Sequence, residues 1–273
     1  MAARSPHDSA AVPMPLEQYA QGFDDLFHPH IQRRRLRESL AGLLVPRDRT
    51  KTLTALVGAE PITQAQTAPV QQVQFFLSAS DWDAETVTAR RIAVLCADRL
   101  TTPHADGALV IDETGDRKDG THTAHVGYQY VGSIGKLGNG IVAVTSLWAD
   151  ERVYSPLHGR PYTPAARLAG GKQDPRFRTK PQLARELVAA ARAAGIPFRA
   201  VVAESLYGAH PECTRTLWQA DIPLVLAVKP SAIVWTPPPE PASPSRGGRP
   251  VALGPHERCP ATGGLDGGGA PLP

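Results

Sequence analysis

Along the chain the alternation of apolar and polar positions changes texture twice. From Leu16 to about Ala105, apolar residues recur at helical spacing, in EQYAQGFDDLF, IQRRRLRESLAGLL, KTLTALVGA and VQQVQFFLSASDWDAETVTARRIAVLCAD. In the second of these, Ile31, Leu36, Leu40 and Leu43/Leu44 predict one apolar face opposite a cluster of arginines. Ser80 and Asp81 are expected to start the last helix, and Pro46, Pro61 and Pro69 punctuate the connections. Residues 1–15 carry no such pattern and are expected to be disordered, so a helical region over 16–105 opens the fold.

From about Gly107 the period shortens. GALVIDETGD, TAHVGYQYVGS and NGIVAVTSLWAD predict three successive strands with glycine turns between them. TKPQLARELVAAARAAG predicts a long helix, with Pro181 in its first turn and Gly195 at its carboxyl-terminal cap. FRAVVAESLYG then predicts a strand, PECTRTLWQAD a helix and IPLVLAVK a strand. The order β-β-β-α-β-α-β implies an α/β fold over 106–235, a mixed sheet with helices on its faces. After Trp235 the texture changes again. Residues 236–273 are Pro, Gly and Ser throughout, without periodicity, and are expected to be disordered because they cannot bury enough apolar area to offset their ordering entropy.

Composition adds bounds to this picture. The apolar share of 42% is slightly low for a packed domain, and the high counts of 27 prolines and 24 glycines suggest that some of the length is unfolded rather than that the core is poor. A net charge of +3 permits a nucleic-acid partner without requiring one. Cys96, Cys213 and Cys259 are far apart and form no paired motif, which fits a reduced, cytoplasmic protein rather than a disulfide scaffold or a structural zinc site. No apolar run is long enough for a membrane span, and the amino terminus has no apolar signal core.

Candidate chemistry gathers at two strand ends. Asp112 ends LVID and Glu204 ends VVAE. If these two strands lie side by side and parallel, both carboxylates meet beyond the carboxyl edge of the sheet, where ligands of open α/β sheets bind. Two acids so close repel unless a divalent cation joins them. The plainer alternative makes Asp112 a turn residue and Glu204 an ordinary acid beside a helix. Glu113, Asp116, Lys118 and Asp119 follow in a segment that otherwise reads as a solvated turn. YVGSIGKLGNGI lacks the order of a nucleotide-binding P-loop and predicts a hairpin, with LGNG at the positive-φ positions and Lys136 within reach of a phosphate. Arg33, Arg34, Arg35 and Arg37, continuing to Arg47, Arg49 and Lys51, form one basic cluster. Tyr162, Arg167, Arg176, Arg178 and Lys180 form a second. Each is either a path for a DNA backbone or a solvated face with local ion pairs. The histidines show no zinc spacing.

The segments ALVIDETGDRKDGTHTAHVGYQYVGSIGKLGNGIVAVTSLWADERVYSPLHGRPYTPAARL, FRTKPQLARELVAAARAAGIPFRAVVAESLYG and LVLAVKPS resemble insertion-sequence transposases of the 701 type, within the DDE endonuclease superfamily. FDDLF, RRRLRESLAGLL and PRDRTKTLTALVGAEP are similar to that family's amino-terminal region, so the resemblance runs from about Phe23 to Trp235. It implies an RNase H-like catalytic domain, Mg²⁺ or Mn²⁺ as cofactor, the double-stranded DNA of the element's terminal repeats as partner, and a homo-oligomer. It also implies Asp112 as the first catalytic metal ligand and Glu204 as the second, in a place where the family usually has Asp. Glu113 stands where a second Asp is common and is a further candidate ligand. Arg33, Arg34, Arg35, Arg37, Lys136, Arg178 and Lys180 are the expected phosphate contacts.

The family's third acid, on the last helix of the core, has no counterpart among Glu240, Glu257 and Asp266 of the tail. That helix is missing from the pattern. The expectation is a truncated or frame-shifted copy that cleaves DNA weakly or not at all. The rival expectation is a non-catalytic DNA-binding fragment that inhibits its full-length relatives.

Overall fold

A computed structural model describes residues 14–46, 52–58, 68–208 and 210–227 of the chain. The tail over 236–273, with Glu240, Glu257 and Asp266, lies outside the described residues, as do residues 1–13, Arg47, Arg49 and Lys51. Helix begins already at Met14, so the last two residues of the segment expected to be disordered belong to it. Contacts divide the chain into two compact units, Met1–Thr102 and Pro103–Pro273.

The described helices of the first unit are α1 (Met14–Gln21), α2 (His30–Leu44), α3 (Leu53–Leu56), α4 (Ala68–Ser78) and α5 (Ala84–Ala97). Phe23, Phe27 and Phe76 are buried at its centre, with Leu26, Leu36, Trp82 and Val87 packed around them. Trp82 stacks on Phe76 at 5.9 Å between ring centres, and its indole N–H donates to the Phe76 carbonyl at 2.8 Å. Asp83 starts α5, in place of Ser80 or Asp81, because its carboxylate accepts the backbone N–H groups of Glu85 and Thr86.

In α2 the buried stripe is rotated from the predicted one, which leaves Leu36 and Leu40 half-buried. Its buried stripe is Arg35, Ser39 and Gly42, whereas Ile31, Leu43 and Leu44 are exposed, Leu44 at 69%. Gly42 explains the rotation. A Cβ there would lie 2.2 Å from the Leu56 carbonyl oxygen, so α2 approaches α3 on a face that only glycine permits. Leu36 still reaches the aromatic cluster.

The second unit is built on β1 (Ala108–Arg117), β2 (Gly127–Val131), β3 (Lys136–Ala149), β4 (Tyr154–Pro161), β5 (Ala200–Ala203) and β6 (Leu224–Leu226). The sheet runs β2-β3-β1-β5-β6, with β4 also paired to β3. β1 is antiparallel to β3 and parallel to β5, which is in turn parallel to β6. It is a mixed, RNase H-like α/β sheet flanked by helices α6 (Lys180–Ala193), α7 (Ser205–Gly208) and α8 (Pro211–Gln219).

Four strands, not three, precede α6. Tyr154–Pro161 reads as a loop because of Pro156, Gly159 and Pro161, yet it pairs with β3 across a bulge at Ser146/Leu147. It touches no strand on its other side, which is where proline is tolerated. The hairpin between β2 and β3 also differs from expectation. Gly135, at φ 64°, supplies its left-handed residue, while Gly138 and Gly140 of LGNG lie within β3. At Gly140 a Cβ would meet the Asp116 carbonyl oxygen at 2.7 Å. Helix α6 begins as predicted, with Pro181 in its first turn and a reciprocal cap between Thr179 and Gln182. Past its end, Gly195 adopts φ 73°.

Alternation along β3 defines the two faces of this sheet. Val142, Val144, Ser146 and Trp148 are buried, and the residues between them are half-exposed. Through the β1 register the buried face continues into Leu109, Ile111 and Glu113, and the half-exposed one into Val110, Asp112 and Thr114.

Candidate active site

Asp112 does not end β1, which runs on to Arg117 because it keeps pairing with β3, so Glu113 and Asp116 lie in strand rather than in a turn; Asp112 stands where β1 passes the end of its parallel neighbour. The register pairs Ala108 with Ala200 and ends at Ile111 with Ala203. One residue further along are Asp112 and Glu204, on adjacent strands roughly 4.8 Å apart. Both residues are exposed. β1 continues past this point as an antiparallel partner of β3, but β5 stops, and the chain turns into α7. The Glu204 carbonyl accepts the N–H groups of Tyr207 at 3.0 Å and Gly208 at 3.4 Å, which fixes the turn. At Asp112 the carboxylate accepts the Glu113 N–H at 2.7 Å, and its backbone carbonyl accepts the Thr145 hydroxyl at 3.2 Å. Sequence order alone left the strand adjacency conditional, and the structure meets the condition.

Glu113 points the other way. Lys180, the first residue of α6, forms an ion pair with its Oε2, and the Tyr207 hydroxyl donates to its Oε1 at 3.4 Å. The Lys180 ammonium also lies 5.6 Å from the centre of the Tyr162 ring. Two successive residues of a regular strand project to opposite faces, so Glu113 and Asp112 face away from each other. Tyr207 was not singled out in sequence. Its place three residues after Glu204 is the signal, since one helical turn carries it back over the strand end.

Of the expected phosphate contacts, several spend their charge inside the protein. The Arg37 guanidinium grips Glu17 and Asp24, at 2.8 and 2.7 Å, and these hydrogen bonds raise its pKa further above the ordinary arginine value. Arg35, with its side chain 5% exposed, pairs with Glu38. Arg33 donates to the His28 carbonyl at 3.3 Å, and Arg34, the exposed member, lies 3.4 Å from Glu38. The four therefore do not form one outward basic face. In the second cluster Arg178 pairs with Glu186 at 2.9 Å and Arg176 with Asp174 at 3.1 Å, while Arg167 donates to the Val126 carbonyl at 2.8 Å. Lys118 lies 2.5 Å from Asp116 and Arg117 3.0 Å from Asp119, so the acids after Glu113 form local pairs. Lys136 is exposed at the start of β3.

Among the described residues no three His, Cys, Asp or Glu side chains gather as a metal cage. Two exposed carboxylates, Asp112 within β1 and Glu204 just past the end of β5, still fit a hard divalent cation such as Mg²⁺. That ion is commonly held by one or two carboxylates and completes its shell with water and phosphate oxygens. No described helix is long and apolar enough to cross a membrane.

The family model for DDE superfamily endonucleases matches residues 22–263, which runs past Trp235 into the segment set apart in sequence as a tail. Over 138 residues the chain is 38% identical to the probable transposase for insertion sequence element IS701 of Microchaete diplosiphon. The aligned stretch is 50% of this chain and 35% of that relative, so the chain spans about a third of the curated protein it matches.

Proposed function

The chain belongs to the DDE superfamily of endonucleases, whose members generally use divalent metal ions, and on that basis we propose that it acts in DNA transposition. The reaction is phosphodiester cleavage at the ends of an insertion element followed by strand transfer, and the resemblance to the probable IS701 transposase supports it. The observation that carries the proposal is the parallel register that sets Asp112 beside Glu204 at the carboxyl edge of the sheet.

Asp112 and Glu204 are the residues that would hold Mg²⁺ or Mn²⁺. A bound divalent ion lowers the cost of charge on the attacking and leaving oxygens of an in-line displacement. The chain's own part is to orient that ion and the DNA. Asp112 is stiffened by its strand and by the Glu113 N–H. Glu204 is one methylene longer than an aspartate, a reach difference of about 1 Å where catalytic geometry tolerates about 0.5 Å, so cleavage by this chain is slow. Exposed Lys136 in the sheet unit and exposed Arg34 in the helical unit are each free to contact phosphates in this reading, with duplex terminal repeats as the DNA. Joining two element ends calls for two such sites, which makes a homo-oligomer the working form.

The test is nicking of a terminal-repeat duplex in Mg²⁺ or Mn²⁺. Slow nicking that disappears in Asp112→Ala is expected, and nicking that survives this change would sink the assignment. A second reading is DNA binding that regulates longer relatives without cutting. Salt-dependent binding to the repeats with no nicking in either metal would select it.

A further inference from the structure

Asp112 and Glu113 are neighbours in the chain on opposite faces of the sheet, and the second of them is far more tightly held. Glu113 follows Leu109 and Ile111 on the covered face. Its side chain is 23% exposed and that of its partner Lys180 18%, so the ion pair is half withdrawn from water. The second carboxylate oxygen accepts from Tyr207, itself buried. These partners come from different parts of the fold. Lys180 opens α6, Tyr207 sits in α7 directly after Glu204, and Tyr162, beneath the Lys180 ammonium, follows β4.

Glu113 therefore joins the backbone that carries Asp112 to the turn that carries Glu204. A further tie between those two segments is the short run of parallel pairing that ends at Ile111 and Ala203. With β5 ended, nothing in the backbone ladder sets the spacing of the two acids beyond that point.

We propose that Glu113, with Lys180 and Tyr207, is a positioning group that sets the separation of Asp112 and Glu204 and hence their affinity for a divalent ion, without touching the ion itself. The proposal rests on the assignment of those two acids as metal ligands. It also gives Lys180 a task other than phosphate contact. Removing a group that orients metal ligands commonly weakens binding by about 10- to 100-fold.

The experiment is Mn²⁺ titration of the full chain, followed by electron paramagnetic resonance, with thermal melts run on the same samples. Asp112→Ala should abolish the site. Glu113→Gln and Lys180→Met should each weaken it by about tenfold or more, and the double change Glu113→Gln/Lys180→Met should be no worse than either single one, because both act through one link. Lys180→Arg, which keeps the pair, should stay within about threefold of wild type. The double variant leaves no unpaired charge, so it carries the test if a single variant fails to fold.

Two results would overturn the proposal with the metal site intact. In one, Mn²⁺ affinity stays within about twofold in Glu113→Gln, Lys180→Met and the double while melting falls, which makes the cluster a fold element only. In the other, Glu113→Gln abolishes binding while Lys180→Met and Tyr207→Phe leave it unchanged, which makes Glu113 a ligand. A wild-type chain that shows no Mn²⁺ site, or a site that survives Asp112→Ala, removes the assignment of Asp112 and Glu204 and the proposal with it.

Discussion

Inward-pointing residues of β3 are Val142, Val144, Ser146 and Trp148, while those of α2 are Arg35, Ser39 and Gly42. One element buries nearly what its pattern predicts, and the other buries a stripe rotated away from the predicted one, with Leu36 and Leu40 left half-buried. The difference lies in what fixes each face. A central strand has neighbours on both edges, and a one-residue slip would turn its whole apolar set outward, so alternation decides. A helix rotates about its axis with no ladder to hold it, and the closest backbone approach decides. In the helical unit that approach is Gly42 on Leu56, and charge closes the remainder through Arg37, Glu17 and Asp24.

The contrast breaks first at Trp148, the largest fully buried side chain of the sheet unit, whose indole N–H donates to the Pro197 carbonyl at 3.0 Å. Trp148→Ala should cost about 3–5 kcal/mol in urea unfolding, and a loss below about 1 kcal/mol would mean that this face is not the main core. Next comes Gly42→Ala, which forces a side chain against backbone and should cost up to about 3 kcal/mol, against less than about 0.5 kcal/mol for Leu44→Ser on the exposed face. A reversed order of these two would show that α2 buries the stripe first predicted.

Arg37→Ala should cost about 2 kcal/mol through loss of charged hydrogen bonds, with little rescue by Arg37→Lys because an ammonium cannot fork to two carboxylates. Arg34→Ala, at an exposed pair, should change stability by less than about 0.5 kcal/mol. Equal effects at the two positions would erase the distinction between a structural and a solvent-facing arginine on this helix.

The smallest effect is on the acid limb. The His104 ring hydrogen bond, followed by the backbone N–H groups of Arg152 and Val153, lowers the Asp150 carboxyl to about 2. With Arg176 as its main partner, Asp174 is lowered to about 2 as well. Both folded-state values lie below the ordinary one of about 3.9, so the stabilisation is present above that pH and is lost as pH falls toward 2. Asp150→Asn should flatten the decline in stability measured between pH 4 and pH 2, and an unchanged slope would remove Asp150 as a cause.

Much of the sheet unit was legible because its signals are local. Val142 to Trp148 alternate, Pro181 and Gly195 bracket α6, and long contiguous segments carry the family resemblance that the match over residues 22–263 bears out. β4 was not legible, since its prolines and glycine suit an edge strand and a loop equally well. The basic clusters misled for a related reason. A run of arginines records charge, but whether each charge faces solvent or an acid depends on residues such as Glu17, twenty positions before Arg37.

By itself the sequence determined the α/β class and the family, because each of these is written in spacing or contiguous residues; it misplaced Asp112 at a strand end, since β1 runs on to Arg117. Only tertiary structure decided that β5 lies parallel beside β1, and so that Asp112 and Glu204 each stand one residue past the last parallel pair, Ile111 with Ala203. It alone decided that Glu113, one residue from Asp112, turns into Lys180 and Tyr207, partners 67 and 94 positions away. Contacts at that separation follow from which elements pack together, and no local periodicity encodes them.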